Sequence, residues 1–221
     1  MTRFAEIDAG IVAAGLSPLG ALRLEDGEIS GVSTLALVGM VGRTNWPAFA
    51  ASREYADGES HPLDRFSRRV VGALAERLGA RALFPFAGPP YCPFQRWAQQ
   101  AAGFSPSPLG LLVHREYGLW ASFRGALAFG EPIDLPASPA SARPCDGCAE
   151  KPCLSACPVG AFTGAGYNVE ACTAHLRSVA GHGCRHDGCL ARRACPIGQG
   201  QAYGPEQARF YMEAFVRSFG G

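Results

Sequence analysis

Hydrophobic positions along residues 3–129 follow two periods, one typical of helices and one typical of strands. The spacing predicts helices over residues 3–15, 62–79 and 94–102. Short apolar runs bounded by turn residues predict strands over residues 19–24, 35–41, 81–86, 109–113 and 119–129. The last two strands are expected to form a hairpin around the turn at 115–118. This mixture predicts an α+β fold with an α/β layer body, rather than a helical bundle or a β-sandwich.

The pattern changes after residue 130. Residues 132–144 contain four prolines and no periodicity, which is typical of a linker. Residues 145–204 are rich in Cys, Gly, Ala and Arg, and a final helix is predicted from Pro205, with an apolar stripe expected to pack on the body. We therefore predict a body over residues 1–138, a small second domain over 139–204 and a C-terminal helix over 205–221.

Charge and hydropathy exclude several classes of partner. The chain has 20 basic and 19 acidic residues, a formal charge of +1, so we expect neither nucleic acid nor a membrane surface as a partner. No run approaches the roughly 20 apolar residues of a membrane helix. Glu6 and Asp8 interrupt the stretch in which a signal peptide would be apolar, and this predicts a cytoplasmic protein.

The nine cysteines are distributed very unevenly. Cys92 stands alone, and the other eight lie within residues 145–195. These eight are Cys145, Cys148, Cys153, Cys157, Cys172, Cys184, Cys189 and Cys195. Cys157 and Cys195 are each followed by proline, within the repeated phrase Ala-Cys-Pro-x-Gly. This internal repetition indicates two related half-sites.

Two iron–sulfur clusters are the chemistry that this spacing favours. A [4Fe–4S] cluster needs four thiolates, of which short loops supply three, and in two-cluster ferredoxins the fourth comes from a Cys-Pro that crosses to the other cluster. Two alternatives stay open. Zinc sites use paired Cys-x2-Cys motifs, of which only one strict example occurs here, and a disulfide framework requires an oxidising compartment.

The cysteine region resembles the C-terminal ferredoxin-like part of epoxyqueuosine reductases and corrinoid reductive dehalogenases. All eight cysteine positions of that pattern are matched. Residues 101–129 resemble the family's segment in which a glycine-rich stretch precedes a leucine-rich strand, and the segment that begins at His61 is a weaker match. The resemblance covers roughly residues 60–200.

The resemblance implies a fold, a ligand assignment and a function. It implies a nitroreductase-like, corrinoid-binding body followed by a two-cluster ferredoxin-like domain, with electrons passing from a redox partner protein through the clusters to cobalamin. One cluster would be held by Cys145, Cys148, Cys153 and Cys195. The other would be held by Cys157, Cys172, Cys184 and Cys189.

The sequence departs from the family at two places. Three cysteine loops are longer than in the family pattern, at 148–153, 184–189 and 189–195. The position that matches the family's catalytic aspartate is Pro89, and no Asp or Glu occurs between Leu83 and Arg115. We therefore do not expect epoxide reduction. An oxidoreductase with another acceptor, a non-catalytic electron carrier and a zinc-stabilised interaction protein remain as the alternatives.

Some polar residues have both a functional and a structural interpretation. His114 lies at a strand end, where it could contact a cofactor or simply support a turn. His175, His182 and His186 lie among the cysteines and could hydrogen-bond a cluster sulfur. The arginines of this region could compensate cluster charge and bind an acidic electron donor, or form a solvated face. They are Arg177, Arg185, Arg192 and Arg193.

Overall fold

A computed structural model describes residues 2–25, 27–101, 103–137 and 143–219. The chain divides into two compact units. The first, the N-terminal unit, comprises the described residues up to Phe104 together with those from Ala121 to 137. The second, the cysteine-rich unit, comprises Ser105–Trp120 and the described residues from 143 onward.

The N-terminal unit is built on one antiparallel sheet. Its strands are β1 (Ser17–Arg23), β2 (Thr34–Val41), β3 (Arg81–Leu83) and β6 (Ala121–Phe129), and the order across the sheet is β1-β2-β6-β3. Its helices are α1 (Arg3–Ala13), α2 (Trp46–Ala50), α3 (Arg53–Ala56), α4 (Pro62–Leu78) and α5 (Phe94–Gln100). Every residue of β2 is buried, as expected of a central strand.

Helix α4 illustrates how the sequence sets a boundary. Pro62 occupies the first turn, where its missing N–H costs nothing. Gly79 ends the helix with φ +67°, a left-handed conformation that glycine adopts without strain. The buried side chains of α4, which include Phe66, Val71 and Leu74, lie on the face that packs on β6 and β3.

The cysteine-rich unit consists of short elements. Its helices are α6 (Pro152–Ser155), α7 (Val169–Arg177), α8 (His182–Asp187), α9 (Leu190–Arg193) and α10 (Pro205–Phe219). Its strands are β5 (Leu112–His114), β7 (Phe162–Thr163) and β8 (Gly166–Tyr167), while β4 (Phe104–Pro106) begins at the last residue of the N-terminal unit. β5 pairs with β4, and β7 pairs with β8.

Several elements differ from the sequence-based expectation. The predicted hairpin of residues 109–113 and 119–129 is wrong, because β5 pairs with β4 whereas β6 pairs with β2 and β3. Helix α10 packs on α7 and α8 in the cysteine-rich unit, whereas we expected it on the body.

Residues 105–120 also belong to the cysteine-rich unit, although the predicted body included them. A side chain at Gly118 would collide with the carbonyl of Ile197, so this close backbone contact requires glycine. The mixed helix and sheet content agrees with an α+β fold.

None of the helices in the described ranges combines the length and the apolar character that a bilayer crossing requires.

Candidate functional site

Four cysteines, which we call the first group, face one another. They are Cys145, Cys148, Cys153 and Cys195. Burial is the main cause that raises the pKa of the Cys145 thiol, and the charges of the other three sulfurs add to the rise. The pKa of Cys153 is raised by burial and then by Cys195 and Cys148. The sulfur of Cys195 is therefore near the other three sulfurs of the first group, although about 40 residues or more separate Cys195 from each of those cysteines in the sequence.

The four side chains of the first group line one pocket. Its other walls include Val113, Lys151 and Ile197. α6 begins at Pro152, directly after Lys151, whose left-handed backbone turns the chain so that Cys153 enters the pocket from the first turn of α6. Cys153 and Cys195 are buried.

The remaining four cysteines form the second group. They are Cys157, Cys172, Cys184 and Cys189. Burial raises the pKa of Cys172, Cys184 and Cys189, and the charges of other members of the group contribute in each case. α7 carries Cys172, α8 carries Cys184, and Cys189 caps the start of α9.

The memberships of the two groups match the two ligand sets that the family resemblance implies. In each group one cysteine precedes a proline and comes from the other half of the segment: Cys195 joins the first group and Cys157 joins the second. The two groups also flank a common core. Cys153 and Cys195 form part of it, and Cys157 and Cys189 pack against it. Ligation by these residues stays a prediction.

Polar groups lie next to two cysteines of the second group. The N–H of Ala161 donates to the Cys157 sulfur at 3.3 Å. Tyr167 acts against the burial that raises the pKa of the Cys172 thiol. Tyr167 could not be singled out in advance, because a tyrosine in a two-residue strand has no diagnostic spacing.

All nine cysteines lie in the described ranges, and all are free thiols. Within those ranges, no three His, Cys, Asp or Glu side chains are close enough together to coordinate a single metal ion. Ligands of one zinc ion nearly touch, at Zn–S distances of about 2.3 Å. Thiolates bound to a four-iron cube are held further apart by the cube itself.

His114 supports a turn. Its Nδ1 accepts hydrogen bonds from the N–H groups of Glu116 and Tyr117, both at 3.1 Å, and its ring stacks on the ring of Tyr117. Burial, helped by the positive charge of Arg115, lowers the pKa of His114 to about 4, so the ring is neutral. These contacts agree with the structural interpretation, and a role in cofactor binding stays a prediction.

Two of the arginines are engaged inside the cysteine-rich unit. The Arg192 guanidinium lies over the rings of Trp120 and Tyr203, at 4.6 and 4.5 Å from their centroids, and also donates to the Leu119 carbonyl. Arg193 donates to the carbonyl oxygens of Asp187 and Tyr203. These two side chains therefore connect elements of the unit, which differs from the solvated face that was one of the two interpretations.

The histidines near the cysteines have distinct positions. His182 and His186 stack on one another along α8, with ring centroids 4.1 Å apart. His175 lies in the last turn of α7, and its Nε2 is buried without a hydrogen-bond partner among the described residues.

The carboxylate of Glu28 contacts residues 84–114, the segment that contains no acidic residue of its own. Glu28 accepts a hydrogen bond from the Trp97 indole at 2.8 Å and pairs with Arg96, and both partners lie in α5. The bond from Trp97 is the largest cause that lowers the pKa of Glu28, followed among the lowering causes by Arg96. Glu28 is therefore an ionised carboxylate and a poor proton donor. The sequence could not place it there, because 68 positions separate Glu28 from Arg96.

No protein-family model matches this chain, and no curated protein matches it significantly.

Solved structures do match. An epoxyqueuosine reductase from Streptococcus thermophilus aligns with a TM-score of 0.53 and 13% identity over 98% of this chain and 75% of its own. An epoxyqueuosine reductase solved with an epoxyqueuosine-modified tRNA stem loop gives 0.54 and 12% over the same shares. The enzyme from Bacillus subtilis gives 0.50 and 12% over 99% of this chain and 76% of its own. The chain is therefore similar in fold to the epoxyqueuosine reductases, at an identity too low to transfer their activity.

Proposed function

We propose that the cysteine-rich unit holds two [4Fe–4S] clusters and that the protein transfers electrons through them. The first group of cysteines holds one cluster and the second group holds the other. The observation that carries the proposal is the separation of eight cysteines into two sets of four, each completed by a Cys-Pro cysteine from the other half of the segment. This exchange is the arrangement used by two-cluster ferredoxins.

The donor atoms fit such clusters. Thiolates are the ligands that iron–sulfur clusters require, and burial raises the pKa of most of these thiols, so an unbound thiolate would be unfavourable there. Iron compensates the thiolate charge and removes that cost. The apolar wall made by Val113 and Ile197 limits water around the first group, which is one determinant of reduction potential.

The N-terminal unit is the proposed site of the electron acceptor. The resemblance supports a corrinoid there, and the protein would then be an oxidoreductase supplied by a redox partner protein in the cytoplasm. Epoxide reduction is not part of the proposal, because residues 84–114 contain no acidic residue and Glu28, which contacts that segment, is held as an anion.

A non-catalytic electron carrier is the second candidate. The missing acid favours it, since a carrier needs clusters and a docking partner but no proton donor. Adding cobalamin to the reduced, cluster-loaded protein under anaerobic conditions separates the two candidates. A changed cobalt spectrum supports the corrinoid version, and an unchanged spectrum with intact clusters leaves the carrier.

Iron and sulfide analysis of anaerobically prepared protein tests the cluster assignment. We expect about eight iron and eight sulfide per chain. Cys153→Ser and Cys184→Ser, each in a different group, should each lose about half of both. Cys92→Ser is the matched control, because Cys92 lies in the N-terminal unit, and it should keep the full content. About two zinc ions without sulfide would replace the proposal with a zinc-stabilised scaffold.

A further inference from the structure

The turn that joins α7 to α8 presents an apolar side chain to solvent. Val179 is 96% exposed, the highest value among the large hydrophobic residues of the described ranges. The other exposed residues of this turn are Arg177, Ser178, Ala180 and His182. We call the surface formed by residues 177–180 and 182 the α7–α8 corner.

Hydrogen bonds hold the α7–α8 corner in one shape. The Ser178 hydroxyl donates to the carbonyl of His175 at 2.8 Å and accepts from the N–H of Gly181 at 3.2 Å. A side chain at Gly181 would collide with the carbonyl of His175, so this close backbone contact requires glycine. Val179 is therefore exposed at the tip of a fixed turn, and such a preformed surface loses little conformational freedom when a partner binds.

The corner connects the two helices that carry cysteines of the second group. Cys172 lies in α7, five residues before Arg177, and Cys184 lies in α8, two residues after His182. Under the proposed function, a protein docked on the corner is therefore separated from the cluster of the second group by only a few residues of α7 and α8.

The charge of the segment around the corner has one sign. Residues 171–186 contain no Asp or Glu, and their two arginines are Arg177, which is exposed, and Arg185, which is half-buried. The nearest acidic residues in the sequence are Glu170, in the first turn of α7, and Asp187, at the end of α8. Positive charge beside an exposed apolar group is complementary to an acidic protein surface.

The neighbouring helix does not cancel this charge. α10 packs on α7 and α8 and carries two acidic and two basic residues, which are Glu206, Arg209, Glu213 and Arg217. Arg192 and Arg193 are not part of this surface, because both are engaged with other elements of the unit.

A protein suits this surface better than a nucleic acid does. Nucleic-acid binding depends on many contacts from Lys and Arg to phosphates, and single strands also stack on aromatic rings. Residues 171–186 contain two arginines, no lysine and no Phe, Tyr or Trp. An apolar centre with a charged rim is the usual anatomy of a protein–protein interface.

We infer that the α7–α8 corner is the docking surface of the electron donor, a small protein with an acidic surface that carries one electron at a time. The inference rests on the proposed function and adds the point of entry, which is the cluster of the second group. One electron leaves the reduced donor protein, which is oxidised, and reduces that cluster. No bond forms or breaks, and no proton moves.

The rate at which a protein donor reduces the clusters tests the inference. The probe is reduced plant-type ferredoxin, a small acidic [2Fe–2S] protein, and the reference is dithionite, a small reductant that needs no docking surface. At low ionic strength, Arg177→Glu and Val179→Asp should each lower the second-order rate constant with ferredoxin about tenfold or more. The rate with dithionite should stay within about twofold, and the wild-type rate with ferredoxin should fall as salt is added.

Two matched variants serve as controls. Arg143→Glu makes the same change of charge at an exposed position two residues before Cys145 of the first group. Leu111→Asp places a charge at another apolar residue of the same unit, which is 45% exposed. Both should keep the wild-type rate with ferredoxin. If Arg143→Glu slows this reaction as much as Arg177→Glu does, or more, the assignment of the entry point is wrong.

Other occupants of the corner would give different results. Loss of binding to an RNA stem loop in Arg177→Glu, with an unchanged rate with ferredoxin, would assign the corner to nucleic acid. A wild type that sediments as a dimer, and a Val179→Asp variant that sediments as a monomer, would assign it to a second copy of this chain. Either result overturns the inference.

Iron and sulfide contents of the same samples distinguish the two levels of failure. Full clusters that dithionite reduces, together with unchanged rates with ferredoxin in Arg177→Glu and Val179→Asp, reject the docking surface and leave the proposed function intact. Wild-type protein prepared anaerobically that contains neither iron nor sulfide rejects both.

Discussion

The N-terminal unit and the cysteine-rich unit are stabilised by different means. Of the twelve largest fully buried side chains among the described residues, ten lie in the N-terminal unit, and only Leu176 and Gln207 lie in the other. The N-terminal unit has a four-stranded sheet and a 17-residue helix. In the cysteine-rich unit, α6, α8 and α9 have six residues or fewer, and each described strand has at most three.

Under the proposed function, this difference indicates what the clusters would contribute to folding. Small units with few buried apolar side chains generally need disulfides or metal to be stable. Many buried positions of the cysteine-rich unit are alanine or cysteine, whose burial contributes little. Under the proposed function, the free energy of cluster binding stabilises this unit, whereas the N-terminal unit depends on its apolar core.

Removing iron should therefore affect the two units very unequally, and this is the largest effect that we expect. Chelation of the anaerobic protein should make the cysteine-rich unit susceptible to proteolysis, because its short helices lose the groups that join them. Fragments of the N-terminal unit should persist, as measured by mass spectrometry of the digest. If both units are equally resistant to proteolysis before and after chelation, the proposed difference in how they are stabilised is contradicted.

A substitution in the apolar core should have the opposite selectivity. Leu37 is fully buried in β2, and Leu37→Ala should lower the free energy of unfolding of the N-terminal unit by about 2–5 kcal/mol. Iron and sulfide contents should stay at the wild-type level. Val12→Ala, at an exposed position of α1, is the control and should change stability by less than about 0.5 kcal/mol. Loss of iron in Leu37→Ala at a temperature where the fold persists would contradict this independence.

The smallest expected effect concerns acid stability of the N-terminal unit. The Glu54 carboxylate is 5% exposed and receives two hydrogen bonds from Arg69, at 2.5 and 2.8 Å. The bond from Arg69 is the main cause that lowers the pKa of Glu54 from 4.5 to about 2. Because the folded pKa is depressed, the stabilisation is present above about pH 4.5 and disappears as the pH falls towards 2.

Glu54→Gln tests that pH dependence. At neutral pH the substitution should lower the free energy of unfolding by about 1–2 kcal/mol, a range that allows for the solvent exposure of Arg69. The loss should become smaller as the pH falls towards 2. Urea unfolding of the N-terminal unit at a series of pH values measures both. If the unfolding free energies of the wild type and of Glu54→Gln differ by the same amount at every pH down to about 2, the Glu54–Arg69 pair adds no acid-sensitive stability.

Elements with a strong period were predictable from the sequence, whereas pairings between distant elements were not. The predicted helix from Pro62 to Gly79 agrees with α4, because proline and glycine mark its ends. The strand at 35–41 agrees with β2 to within one residue. The hairpin prediction was wrong because the apolar runs at 109–113 and 119–129 pair with other partners, and local pattern carries no information about the partner of a strand.

The same contrast applies to the candidate site. The eight cysteines stand out in the sequence because their short spacings, followed by Cys-Pro, are typical of cluster ligands. Glu28 was not identified, since it contacts Trp97 through tertiary packing and belongs to no motif. The engagement of Arg192 between two aromatic rings was equally invisible in the sequence, where a run of arginines resembles a solvated face.

The exchange of the two Cys-Pro cysteines is the most direct test of the account. Single substitutions Cys195→Ser and Cys157→Ser can be compared with Cys153→Ser and Cys184→Ser by electron paramagnetic resonance of the reduced proteins. The account predicts that Cys195→Ser removes the same signal as Cys153→Ser, and that Cys157→Ser removes the same signal as Cys184→Ser. The reverse pairing, in which Cys157→Ser matches Cys153→Ser, would contradict it.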